Sequence, residues 1–157
     1  MDQFFGSLYC MLGLDHFYGL DLANYLWGLT SITVTTNQFI GIGLTMLGIS
    51  LAMVLIYYYA VDHPRLANWW GWGIFLVINA IINFFVGWQW VLSDLYSGYM
   101  MFIDPVNNIE TPLPITESNC LCFGVVNMLL SAFAFLIFSF IFKWWSTNSH
   151  RAPFYYV

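Results

Sequence analysis

The sequence predicts an all-α membrane protein: three transmembrane helices in an antiparallel bundle, short N-terminal interfacial helices and one structured outer loop. Three observations carry this expectation. Only 7% of the 157 residues are charged, too few to clothe a soluble domain of this length. Three apolar runs, residues 38–60, 70–92 and 119–142, each match the ~20 residues that a helix needs to cross a bilayer. Aromatic side chains, which favour the water–lipid boundary, bracket those runs. The middle run is the clearest, because twenty residues, ~30 Å of helix, separate Trp70 from Trp90 with no Asp, Glu, Lys or Arg between them.

Residues 1–37 carry two helical signals. Asp2 can cap a helix through FFGSLYCML that Gly13 ends, and Asp15 can cap HFYGLDLANYLW, which Gly28 ends. Each is too short to span, so each is expected to lie in the interface or on the bundle, with a re-entrant hairpin as the alternative. His16 has no second ligand nearby in sequence and reads as an interface side chain. The MDQFF start lacks the positive region of a cleavable leader, so none is expected. Residues 30–37 are β-branched and polar, an extended linker in which Asn37 caps the first span.

In the first span, residues 38–60, Gly41, Thr45, Gly48 and Ala52 recur at spacings of four, three and four and so share one helix face. Small residues let two backbones approach closely in lipid, so this face is expected to pack against another helix. Tyr57, Tyr58 and Tyr59 mark the boundary. Residues 61–69 form a short loop in which Pro64 interrupts the helix and Asn68 can cap the next one. In the middle span, residues 70–92, Asn79, Asn83 and Gly87 are four apart on one face. Amides deep in lipid need partners, so interhelical hydrogen bonds are expected there. Trp69, Trp70 and Trp72 anchor one end of this span, and Trp88 and Trp90 the other.

Residues 93–118 form an acidic outer loop, expected to fold as a short hairpin or compact loop about a Pro-Val-Asn-Asn turn. In the third span, residues 119–142, Ser118 or Asn119 can cap the start. Gly124, Asn127, Ser131 and Ala134 repeat the small-and-polar face, and Lys143, Trp144 and Trp145 close the span before a tail that runs to residue 157. Depth counted from the tryptophans at residues 70 and 144 pairs Asn83 with Ser131, sets Asn127 over Gly87, and brings Gly48 near the Asn83 level.

Arg65, Lys143 and Arg151 fall on one side of this three-span plan with Asp62, and the other seven acids fall on the opposite side. The positive-inside rule then places the C-terminus in the cytoplasm, and the N-terminus and long loop outside. A bacterial cytoplasmic membrane is the expected location, with an organelle membrane as the alternative. Three cations cannot track a phosphate backbone, so no nucleic-acid partner is expected. Cys10, Cys120 and Cys122 read as small apolar residues, with a disulfide from Cys10 to Cys120 or Cys122 open on an oxidising face. No nucleotide loop, catalytic dyad or metal-ligand spacing appears, so neither an enzyme nor a cofactor is expected. What is expected is a non-catalytic subunit of a larger membrane complex, whose partners are the lipid bilayer and other membrane subunits. The alternatives are a small oligomeric channel or transporter lined by Asn79, Asn83 and Asn127, and an immunity-type or regulatory protein that binds through its outer loop.

Overall fold

The structure is a computed structural model and describes residues 2–30, 35–60, 69–103 and 109–143. Helix α1 (Asp2–Tyr9) is followed by a 3-10 turn (Met11–Gly13), α2 (Leu14–Tyr18) and α3 (Leu20–Leu26). Helix α4 (Gln38–Leu55) ends in a π turn (Ile56–Ala60). After α5 (Trp69–Tyr96) come strands β1 (Met101–Ile103) and β2 (Glu110–Pro112), then α6 (Glu117–Lys143). Three helical segments are long and apolar enough to cross a membrane: Gln38–Tyr59, Trp69–Tyr96 and Glu117–Lys143.

The chain divides into two compact units, Met1–Leu44 with Phe84–Asn127, and Thr45–Asn83 with Met128–Val157. Each long helix therefore contributes one segment to each unit.

In the first unit, the N-terminal helices pack on α4 and α6. The Tyr9 ring stacks on Phe39 and Phe123, with centroids 5.3 and 5.4 Å away. Phe5 occupies the space that a side chain at Gly43 would need, and Trp27 does the same at Gly6. Leu12 and Gly13 both take left-handed φ angles, which ends the first helical stretch near the expected Gly13. The second stretch, expected as one helix, is broken into α2 and α3 at Gly19, where φ is 100°. The break frees the Tyr18 carbonyl to accept a hydrogen bond from Asn119 Nδ2 at 2.8 Å. That amide lies 2.6 Å from where a Gly19 Cβ would sit, so only glycine fits there. Gly28 closes α3 as expected, with φ 74° and the paired backbone bonds of a glycine cap.

Asn37 caps α4 as the sequence predicts, its Oδ1 accepting from the Phe39 N–H at 3.0 Å. Helix α5 runs to Tyr96, four residues beyond the predicted end of its span, and carries Asp94 out of the expected loop. Gly98, at φ 74°, supplies its glycine cap. The predicted hairpin is present, with β1 and β2 antiparallel and Phe102 opposite Thr111. Its Pro-Val-Asn-Asn turn lies outside the described residues. Thr116, not Ser118 or Asn119, caps α6, and Asn119 Oδ1 reaches back to accept from the Thr116 N–H at 3.0 Å.

The second unit holds a core of Val54, Tyr57, Tyr58, Trp72 and Phe135. The sequence reading assigned three of these, Tyr57, Tyr58 and Trp72, to the boundary, but the structure turns them inward. Ser139 gives the polar atoms of Tyr58 and Trp72 somewhere to go. Its Oγ accepts from Trp72 Nε1 at 2.8 Å and shares a hydrogen bond with the Tyr58 hydroxyl at 2.7 Å.

Candidate functional site

The predicted packing residues of α5 and α6 all reach the interior. Asn79, Asn83, Gly87, Gly124, Asn127, Ser131 and Ala134 are buried. In the first unit, a Cβ built on Gly87 would lie 2.8 Å from the Asn127 Cβ. One built on Gly124 would lie 3.0 Å from the Trp88 Cβ and 3.1 Å from the Phe84 carbonyl oxygen. The helices meet almost backbone to backbone, which only these glycines permit. The expected pairing of Asn127 with Gly87 is thus found. The sequence did not show what satisfies that amide: the Tyr9 hydroxyl donates to Asn127 Oδ1 at 2.5 Å.

In the second unit, the expected pairing of Asn83 with Ser131 is corrected by one helical turn. Asn79 Nδ2 donates to the Ser131 carbonyl at 3.1 Å, while Asn83 Nδ2 donates back along its own helix to Asn79 O at 3.0 Å. Ser50 Oγ also donates to the Ser131 carbonyl at 3.4 Å. A depth count cannot resolve helix tilt, and a small tilt shifts the register by a turn.

Helix α4 departs furthest from expectation. In the second unit it buries Met46, Ser50 and Val54, while Gly48 and Ala52 are exposed and Thr45 is half-buried. Nothing lies within 4 Å of a Cβ built on Gly48, so no described residue packs closely on it. In the first unit α4 buries Phe39, Ile42 and Gly43, and Gly41 is half-buried beside the Trp90 ring. The helix carries two faces of small residues. The core uses Gly43 and Ser50; on the richer face, which the sequence singled out, Gly48 and Ala52 point outward while Gly41 and Thr45 are half-buried. Only position relative to the apolar stripe could have told them apart, and α4 is apolar nearly all round.

Among the expected boundary residues, Tyr59, Trp69 and Trp70 are exposed. Trp88 is half-buried, and its Nε1 finds no hydrogen-bond partner among the described residues. Trp90 donates to Gln38 Oε1 at 3.2 Å. Lys143 ends α6, and Trp144 and Trp145 lie outside the described residues. A second network missed from sequence joins Tyr25 and Gln38, both donating to Asp94 Oδ2 at 2.9 Å. Burial pushes the Tyr25 hydroxyl well above its usual range, and the Asp94 charge adds to the shift. Burial alone does the same to Tyr9, and burial aided by Cys10 does so to Tyr18.

The three cysteines are free, so the disulfide left open by the sequence is not formed. His16 is exposed. Among the described residues, no group of three His, Cys, Asp or Glu side chains could hold a metal ion. No family model, no curated protein and no solved structure matches the chain.

Proposed function

We propose that this chain is a multi-pass membrane protein without catalytic activity of its own, a subunit that packs by its spanning helices into a larger membrane complex. The outward face of α4 carries this reading. Against acyl chains a helix gains nothing from glycine and alanine, whereas a partner helix gains close backbone approach. Gly48 and Ala52, four residues apart and exposed, form such a face beside the exposed Leu44, Leu55 and Ile56.

The distribution of charge supports an orientation. The acids with described side chains, Asp15, Asp21, Asp94, Glu110 and Glu117, belong to the first unit, and Lys143 belongs to the second. The positive-inside rule then sets the N-terminus and the hairpin outside and the end of α6 in the cytoplasm.

The test is Gly48→Leu, followed by purification in mild detergent. The wild type is expected to elute as an assembly, and the variant as a folded monomer with unchanged helical content. A wild type that elutes alone as a monomer would overturn the proposal.

A further inference from the structure

The first unit contains a groove of about 570 Å³ lined by Gln38, Ile40, Gly41, Trp90, Asp94 and Tyr99, among others. Its chemistry is one-sided. Asp94 lies in the last turn of α5, where the helix's unpaired carbonyls already place partial negative charge, and no basic residue accompanies it there. Both hydrogen bonds to its carboxylate end on Oδ2, leaving Oδ1 without a donor among the described residues. Asp94 makes no ion pair among those residues either. A carboxylate at a helix C-terminus beside a low-dielectric surface calls for a cation, and the described chain supplies none.

The walls indicate which cation. A bare divalent ion needs six or more oxygen ligands, and one carboxylate cannot provide them. An alkylammonium needs one carboxylate and is further attracted by aromatic faces. Trp90 and Tyr99 stand beside Asp94 in the groove lining, and both are substantially exposed. Trp90 is held by its bond to Gln38, which itself bonds Asp94, so ring and carboxylate are positioned together. Below them, Ile40 and Gly41 continue the wall along α4 as an apolar surface on which an acyl chain can lie.

We propose that this groove binds an alkylammonium group, the amine of a zwitterionic phospholipid headgroup, through Asp94 with Trp90 and Tyr99 as its aromatic walls. A lipid source presupposes the membrane-spanning reading above.

The test uses the full chain in mild detergent doped with equal amounts of the palmitoyl-oleoyl forms of phosphatidylethanolamine, phosphatidylcholine and phosphatidylglycerol, with retained lipid read by native mass spectrometry. The expected result is retention of the ethanolamine or choline lipid over the glycerol lipid by about tenfold. Asp94→Asn and, separately, Trp90→Leu should each bring that ratio close to one. Asn keeps an acceptor for Tyr25, and Trp90→Leu leaves Asp94 untouched, so the two variants fail by different routes if either misfolds. Equal retention of all three lipids by the wild type overturns the proposal. So does an unchanged ratio in both variants. Free ethanolamine that displaces the lipid at matched concentration would keep the alkylammonium site but assign it to a soluble amine. A chain that stays in solution without detergent would defeat the membrane reading itself, an outcome separate from equal retention.

Discussion

Replacing Gly87 with alanine adds a single methyl group, and the structure says where it must go. The added carbon would sit 2.8 Å from the Asn127 Cβ and 2.9 Å from its Nδ2. The Asn127 Cβ is fixed to the α6 backbone, so rotating a side chain cannot relieve the overlap. Either α6 shifts away from α5 in the first unit or the contact stays compressed. Overpacking of this kind costs about 1–3 kcal/mol. Displacing Asn127 also weakens its hydrogen bond from Tyr9, worth about 1 kcal/mol. Against this stands the gain of about 1 kcal/mol for alanine over glycine within a helix. The net expectation is a loss of roughly 1–3 kcal/mol. Gly48→Ala is the control, since nothing lies within 4 Å of its added carbon and the helical gain should appear undiminished. Thermal unfolding of both variants as monomers in detergent should separate their midpoints by on the order of 10 °C. A Gly87→Ala protein as stable as Gly48→Ala would refute the close approach of α5 and α6.

Three further outcomes follow from the hydrogen bonds. Asn79→Leu should destabilise the chain by roughly 0.6–2 kcal/mol, because Asn79 Nδ2 bonds across to α6; an unchanged stability by chemical unfolding would contradict the register. Ser139→Ala removes the acceptor of the buried Trp72 N–H and should cost about 1–3 kcal/mol, with a shift in tryptophan emission as a second readout. Tyr9, Tyr18 and Tyr25 have hydroxyls held protonated by burial, so the unfolded chain releases these protons before the folded one. Their contribution is intact below the usual tyrosine value near 10 and falls above it, by up to about 1.4 kcal/mol per pH unit for each. Tyrosinate absorbance should therefore lag and then rise together with the loss of α1–α3 packing, and a smooth titration of all ten tyrosines near pH 10 would exclude this.

How far the sequence could be read depended on how local each signal was. The three long helices, the Asn37 cap, the Gly28 stop and the hairpin are set by residues within a few positions of one another, and each was legible. Asn127 over Gly87 was legible too, because an amide and a gap at matching depth have few other ways to pair. The Asn79 bond was displaced by a turn because depth counting assumes upright helices. Gly19 looked like an ordinary helical glycine, since the side chain that requires it, Asn119, is one hundred residues away. Tyr57, Tyr58 and Trp72 looked like boundary aromatics because composition places such rings at helix ends. Nothing near them in sequence announces Ser139, which takes up the polar atoms of Tyr58 and Trp72.

Helix α4 poses the sharper question of why one apolar helix should keep two narrow faces. Gly43 and Ser50 lie seven apart on the face that the core uses. Gly41 and Gly48, and likewise Thr45 and Ala52, repeat the same interval on the other face. A repeat of seven holds a seam in register with a neighbour crossing at about 20°, so contact persists over several turns rather than at one point. Lipid can fill a groove of glycine and alanine, but each chain loses freedom in doing so. A second helix is already ordered and loses little. If the outer face existed only to meet lipid, leucine at Gly48 would be harmless to every property of the chain. Its effect on assembly, with folding unchanged, is therefore what separates a partner surface from an idle one.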